Sequence, residues 1–266
     1  MTETPIEDER GLERCEFLGV DFDLIEIDGL LRLLRRVDAD TPYSYVVTPN
    51  VDHVVRKSRL GSPVAPELSR SFAQARWCVC DSRVLSLLAR LRGVSIPVIA
   101  GSDLTERLFS EVLGPGDAIA IVGGADHAAD RLRDRHPALV IKQHIPPVGL
   151  LGDEQAMREA VEFVAASRSR FAFLAVGSPQ QEIIARRLAT HPNASGVAFC
   201  VGASIDFLTG DQRRAPRLLR SLSLEWAYRL ATNPRRLWRR YLVDGPRIFG
   251  LAARWSPSPG GRDGRG

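Results

Sequence analysis

The feature that most limits the fold of this chain is an alternation that runs through most of its length. Short apolar runs of strand length are each followed by a stretch with helical spacing. FLGVDFDLI (from Phe17) opens the series. SYVVTPN (Ser44), WCVCD (Trp77), PVIAG (Pro97) and AIAIVGG (Ala118) follow, then LVIKQHIPP (Leu139), FAFLAVGSP (Phe171) and SGVAFCVGASIDF (Ser195). Between them lie helical patterns such as SRVLSLLARLRG, with leucines at helical spacing, and SDLTERLFSEVLG, for which Ser102 is the expected N-cap. Near-continuous apolar runs alternating with helices predict an α/β fold. Its sheet is mostly parallel and Rossmann-like, with helices on both faces. In such sheets ligands bind beyond the carboxyl ends of the strands. The informative residues are therefore Thr48, Asn50, Asp81, Gly101 to Asp103, Gly123, Gly124 and Gly177 to Gln181.

Charge divides the chain unevenly. From Gln212 onward there are 13 arginines against three acids, a net +10, which leaves −6 for the first 211 residues of a chain with total charge +4. The expected organisation is a loose leader over 1–14, an α/β core over 15–211, a basic helical appendage over 212–255 and a disordered Ser/Pro/Gly-rich tail over 256–266. No apolar run reaches the roughly 18 residues of a spanning helix. The acidic, polar start MTETPIEDER does not read as a secretory signal, so a cytoplasmic location is expected.

Four cysteines, Cys15, Cys78, Cys80 and Cys200, lack paired metal-ligand spacing and read as small buried apolar groups. Within WCVCD, Cys78 and Cys80 alternate with Val79 and are expected on opposite faces of a strand. The five histidines share no ligand spacing, so no metal site is expected from them. There is no GxSxG elbow and no Walker loop.

Among the strand-end residues, each chemical reading has a structural rival. Glycines in VGGADH suit a phosphate at a helix N-terminus, yet a plain tight turn explains them more simply. In VGSPQQE, Pro179 fits a first helical turn, with Gln180, Gln181 and Glu182 converging there for capping or for a ligand. Asp81, ending an apolar run, is placed for a partly desolvated general base, but as the cap of the next helix it needs no ligand, and the residues alone favour the cap. Thr48 and Asn50 carry uncharged groups suited to sugar hydroxyls, or to turn chemistry around Pro49.

In the appendage, Arg229, Arg236 and Arg240 fall along one helical face and Arg235 and Arg239 on a neighbouring one. Trp226, Leu230, Leu237, Tyr241 and Leu242 form the apolar side, and Pro234 and Pro246 divide the segment into short helices. A basic amphipathic segment with tryptophans reads as a membrane-surface element, at about 1 kcal/mol per basic residue near anionic lipid. A solvated helix face and a nucleic-acid arm are its rivals, although no nucleic-acid motif and no basic patch in the core supports the latter.

Taken together, TPN at Thr48, Asp81 before a helix, GSD at Gly101, GSPQQE at Gly177, VGASIDFLTGDQRRAP and LEWAYRLATNPRRLWRRYL resemble the WecG/TagA/CpsF family of glycosyltransferases, from about Phe17 to Phe249. The resemblance implies an inverting transferase needing no metal and no cofactor. It would move a sugar from a UDP-sugar to a polyprenyl-diphosphate-linked saccharide of surface polysaccharide synthesis, on the inner face of the cytoplasmic membrane. It further implies Asp81 as base, Thr48 and Asn50 lining the sugar pocket, Gln181 on the donor, and Arg229, Arg236 and Arg239 neutralising the departing diphosphate. Nucleic acid is not an implied partner; the membrane surface and a homo-oligomer are. Two positions depart from the pattern: Ser82 stands where a glycine is usual, and Ile99 where an arginine is usual. A nucleotide-dependent oxidoreductase would need a dinucleotide fingerprint that VGGADH does not supply.

Overall fold

The computed structural model describes residues 12–212, 215, 216, 219 and 225–256, apart from the side chains of Glu225 and Arg236. Residues 1–11 of the expected leader and 257–266 of the expected tail lie outside the described residues.

FLGVDFDLI does not make one strand. It bends at Leu18 and Gly19, both with positive φ, into an antiparallel hairpin of β1 (Arg14–Phe17) and β2 (Val20–Asp23). Helix α1 (Ile27–Leu34) follows and buries Leu30, Leu31 and Leu34, a helical spacing that strand-length apolar runs conceal.

Among the described residues, six strands form one parallel sheet: β3 (Ser44–Val47), β4 (Trp77–Cys78), β5 (Ala118–Gly123), β6 (Val140–His144), β7 (Phe171–Ala175) and β8 (Val197–Cys200). They run in the order β4-β3-β8-β7-β5-β6. One face carries α2 (Val51–Lys57), α3 (Val64–Gln74), α4 (Arg83–Leu91), α7 (Glu154–Ser167) and α8 (Gln180–Leu188). The other carries α1, α5 (Gly101–Arg107), α6 (Ala128–Arg135) and α9 (Ser204–Thr209).

Alternation along the strands assigns side chains to these layers. Val46, Ile119, Ile121, Phe171, Phe173 and Phe199 enter one layer, while Val47, Ala120, Val122, Leu174 and Cys200 enter the other. Phe199 stacks on Phe173 at 5.4 Å and meets Phe171 edge-on at 5.3 Å. Each such fully buried ring contributes about 1.5–3 kcal/mol. Cys78 and Cys80 share one layer and Val79 joins the other, because side chains two residues apart lie on the same face of a strand. PVIAG contributes only a bridge between Val98 and Cys80. The helix after it starts at Gly101 with Ala100 before it and no side-chain cap, so Ser102 is not its cap.

The C-terminal segment contains α10 (Glu225–Thr232) and α11 (Pro234–Trp238). A π-helical turn over Arg239–Asp244 leads from α11 to α12 (Arg247–Arg254). In that turn the Gly245 amide donates to the Arg240 carbonyl at 2.8 Å. A Cβ on Gly245 would sit 3.0 Å from the Tyr241 oxygen and 3.1 Å from the Arg240 oxygen, a tight approach that glycine eases. Helix α12 buries Ile248 and Ala252 against α2 and α4. Beyond it, Trp255 meets Phe17 edge-on at 5.0 Å and donates its indole N–H to Glu16 at 3.1 Å. The end of the basic segment is thereby stitched to the first hairpin. No helix among the described residues is long and apolar enough to cross a membrane.

Candidate active site

At the carboxyl ends of β3 and β4 lies a cleft of about 470 Å³, roofed by α10, the π turn and α12. Its floor includes Asn50, Asp81 and Ser82; its roof includes Trp226, Arg229, Arg240 and Tyr241. The position of Asp81 follows from strand pairing. Its backbone amide donates to the Pro49 carbonyl at 2.9 Å, continuing the β3–β4 ladder and setting Asp81 beside the TPN turn. The cap of α4 is Ser82, whose hydroxyl accepts from the Leu85 amide at 3.2 Å, so the capping role expected of Asp81 is filled by its neighbour. Asp81 is half-buried and on the cleft wall.

Thr48 and Gln181 lie beneath the cleft rather than on its lining. The Thr48 hydroxyl, buried, donates to the Cys200 carbonyl at 2.9 Å and ties β3 to β8. Gln181, also buried, accepts from the Gly202 amide at 2.9 Å and donates to Glu182 at 2.7 Å. Asn50 lines the cleft and caps α2, accepting from the Asp52 amide at 3.1 Å. The same turn is closed by His53, whose Nδ1 accepts from the Asn50 amide at 3.1 Å. His53 Nε2 lies 3.4 Å from the Glu182 carboxylate. Burial acts to raise the Glu182 pKa, but the contacts of His53 and Gln181 outweigh it and hold the group below its ordinary value. Through this network the turns after β3, β7 and β8 are fixed relative to one another. The Thr48–Cys200 and Gln181–Gly202 pairings are not visible in sequence, because their partners lie 152 and 21 positions apart.

In the roof, the Arg229 guanidinium lies over the Phe207 ring at 5.2 Å, and Arg240 pairs with Asp52 at 3.6 Å, joining roof to floor. Arg59 pairs with Asp244 as a second latch. Arg239 is exposed and is not on the cleft lining, and the side chain of Arg236 lies outside the described residues. Arg229 and Arg240, which sequence spacing puts on one face, both reach the cleft. Arg83, Asp52 and Asp103 complete its charged lining. Asp103 belongs to the GSD strand-end motif, whereas Asp52 and Arg83 carried no motif signal of their own. Ile99 is buried among Leu104 and Leu108 and adds no charge to the cleft.

The VGGADH turn borders the next strand end. Gly123 has φ +87°, and a Cβ there would lie 2.9 Å from the Ala175 carbonyl oxygen, which accounts for the glycine by close backbone approach alone. Nearby Asp206 has its pKa raised by burial, and it accepts from Gln212 at 2.9 Å. Among the described residues no group of three His, Cys, Asp or Glu side chains is placed to hold a metal ion.

A carboxylate on a rigid strand end, opposed by guanidinium groups across a cleft, suits abstraction of a hydroxyl proton while negative charge develops opposite. The chain is similar to known proteins. An N-acetylglucosaminyldiphosphoundecaprenol N-acetyl-beta-D-mannosaminyltransferase of Bacillus spizizenii (strain ATCC 23059 / NRRL B-14472 / W23) is 32% identical over 182 residues, covering 66% of this chain and 68% of that protein. A solved structure described by the words "The highly conserved domain of unknown function 1792 has a distinct glycosyltransferase fold" aligns with 73% of this chain and 83% of its own, at 14% identity and TM-score 0.47. The model of the glycosyl transferase WecG/TagA/CpsF family matches residues 15–260, and the chain belongs to that family of glycosyltransferases.

Proposed function

We propose that the chain is an inverting, metal-independent transferase that moves a sugar from a UDP-sugar to a polyprenyl-diphosphate-linked saccharide in cell-surface polysaccharide synthesis. The observation that carries this reading is Asp81 on the wall of a cleft whose roof brings Arg229 and Arg240. Asp81 takes the proton of the acceptor hydroxyl as its oxygen attacks the anomeric carbon. The bond from that carbon to the UDP oxygen breaks, and the electron pair leaves with the β-phosphate. Arg229 and Arg240 neutralise the departing diphosphate, a task that elsewhere falls to a divalent cation. Asn50 faces the sugar. Thr48 and Gln181 act on the donor site by fixing the strand ends beneath it. The acceptor class follows the name of the Bacillus relative, which acts on a lipid-linked diphosphate sugar.

The reaction is tested by UDP release from a panel of UDP-sugars with a lipid-linked N-acetylglucosaminyl diphosphate, in the presence of EDTA, with the product anomer read by NMR. Release with at least one donor and inversion at the anomeric carbon are expected; strict dependence on an added metal, or retention, contradicts the proposal. The roof also exposes Trp238, Leu242, Val243 and Phe249 beside Arg235 and Arg239, supporting peripheral attachment to the cytoplasmic membrane face. Co-sedimentation with anionic vesicles is expected to fall several-fold in Trp238→Ala/Leu242→Ala. Undiminished binding by that variant rejects this face as the attachment surface.

A further inference from the structure

We propose that Arg83 and the apolar shelf of Val84, Val98, Leu242 and Phe249 form the subsite for the diphosphate and first prenyl units of the lipid-linked acceptor. The inference rests on the glycosyl-transfer reading of the cleft and assigns one wall of it. Arg83, Arg229 and Arg240 supply the described cations of the cleft lining. Arg240 is engaged with Asp52, and Arg229 is packed over Phe207. Arg83 is exposed and makes no hydrogen bond or ion pair with a described residue.

Its position argues against a role in helix stability. Arg83 is the first residue of α4, where the positive end of the helix dipole disfavours a cation. A guanidinium placed there is best satisfied by an external anion reaching the cleft.

What surrounds Arg83 selects the anion. Asp81 lies two residues before it and Val84 directly after it. The bridge between Cys80 and Val98 brings a second valine to the same wall. Leu242 and Phe249 are more than half exposed on the facing roof, at 56% and 57%. The wall thus presents a carboxylate, a cation and hydrocarbon side by side. Donor and acceptor both carry a diphosphate, but only the acceptor joins its diphosphate directly to hydrocarbon. An acceptor with its hydroxyl at Asp81 places diphosphate by Arg83 and prenyl chain on Val84 and Phe249.

Calorimetric titration of the full chain with farnesyl diphosphate tests this, with farnesol, inorganic pyrophosphate and UDP as separate arms. Farnesyl diphosphate is expected to bind at least tenfold more tightly than farnesol or pyrophosphate. Arg83→Ala is expected to lose at least tenfold of that affinity while UDP binding and the melting temperature stay unchanged. Phe249→Asp loses a comparable factor, also sparing UDP. The assignment is overturned if the parent does not bind farnesyl diphosphate. It is equally overturned if Arg83→Ala leaves that affinity intact, or weakens UDP binding as much, which gives Arg83 to the nucleotide. Because the readout is binding, a parent chain that holds farnesyl diphosphate but transfers no sugar rejects the proposed function while supporting the prenyl diphosphate subsite.

Discussion

The floor of the cleft is fixed by hydrogen bonds between strand ends, whereas its roof is held by a few ion pairs and one buried helix face. Beneath the floor, Gln181, Glu182 and His53 are buried and turned toward one another and buried Thr48 bonds the Cys200 carbonyl, so their polar groups serve the backbone that carries Asp81 and Asn50. In the roof, Arg229, Arg240 and Tyr241 are half-buried and Trp226, Trp238 and Phe249 are exposed, and the main attachments are Arg240 to Asp52, Arg59 to Asp244 and the burial of Ile248. A rigid carboxylate and a more loosely anchored set of cations suit a reaction in which the base must be pre-aimed while the leaving group must enter and depart.

That contrast can be broken from either side. Replacing Arg229 and Arg240 together with alanine should reduce turnover by about 10² to 10³, the cost of losing a charge-stabilising donor, while the lost part-exposed pair with Asp52 costs only about 1 kcal/mol of stability. Steady-state kinetics beside a thermal melt decides this; equal loss of stability and activity would make the pair structural. A smaller effect is expected from the anchor. Ile248→Ala should cost about 2–5 kcal/mol of stability in denaturant unfolding, because its cavity opens under α12. A cost below about 0.5 kcal/mol would mean that α12 is not part of the core.

The floor offers the mildest probe, through pH. The Glu182 pKa is held below its ordinary 4.5 in the folded chain, so its contribution to stability is complete above that value. It is lost as pH falls below 4.5 through the folded value. Glu182→Gln should therefore flatten the decline of melting temperature in that acid window and change little at neutral pH. An unchanged acid profile would remove the network from the account of how the floor is fixed.

Much of this division was legible in the chain, for reasons that differ by region. The strand-end rule picks out Asn50 and Asp81, because a parallel sheet exposes whatever follows each apolar run. The charge imbalance picks out the roof. What sequence conceals is long-range pairing and local register. Gln181 and Thr48 stand in the right motifs, but their partners, the Gly202 amide and the Cys200 carbonyl, are backbone groups that no side-chain pattern announces. Asp81 reads as a cap until Ser82 is seen to do that work. Helix α1 hides because Leu30, Leu31 and Leu34 can be read as an apolar run as easily as a helical face. The π turn at Arg239–Asp244 depends on a six-residue closure to Gly245, so spacing alone does not decide which neighbouring arginine faces the cleft.

The claim that floor and roof divide one reaction between them is met most directly by Asp81→Asn, assayed for UDP release and, separately, for UDP binding. The account predicts a loss of turnover of about 10² or more with UDP affinity unchanged, since the base is removed and the cationic roof is not. Turnover within a few-fold of the parent would contradict it.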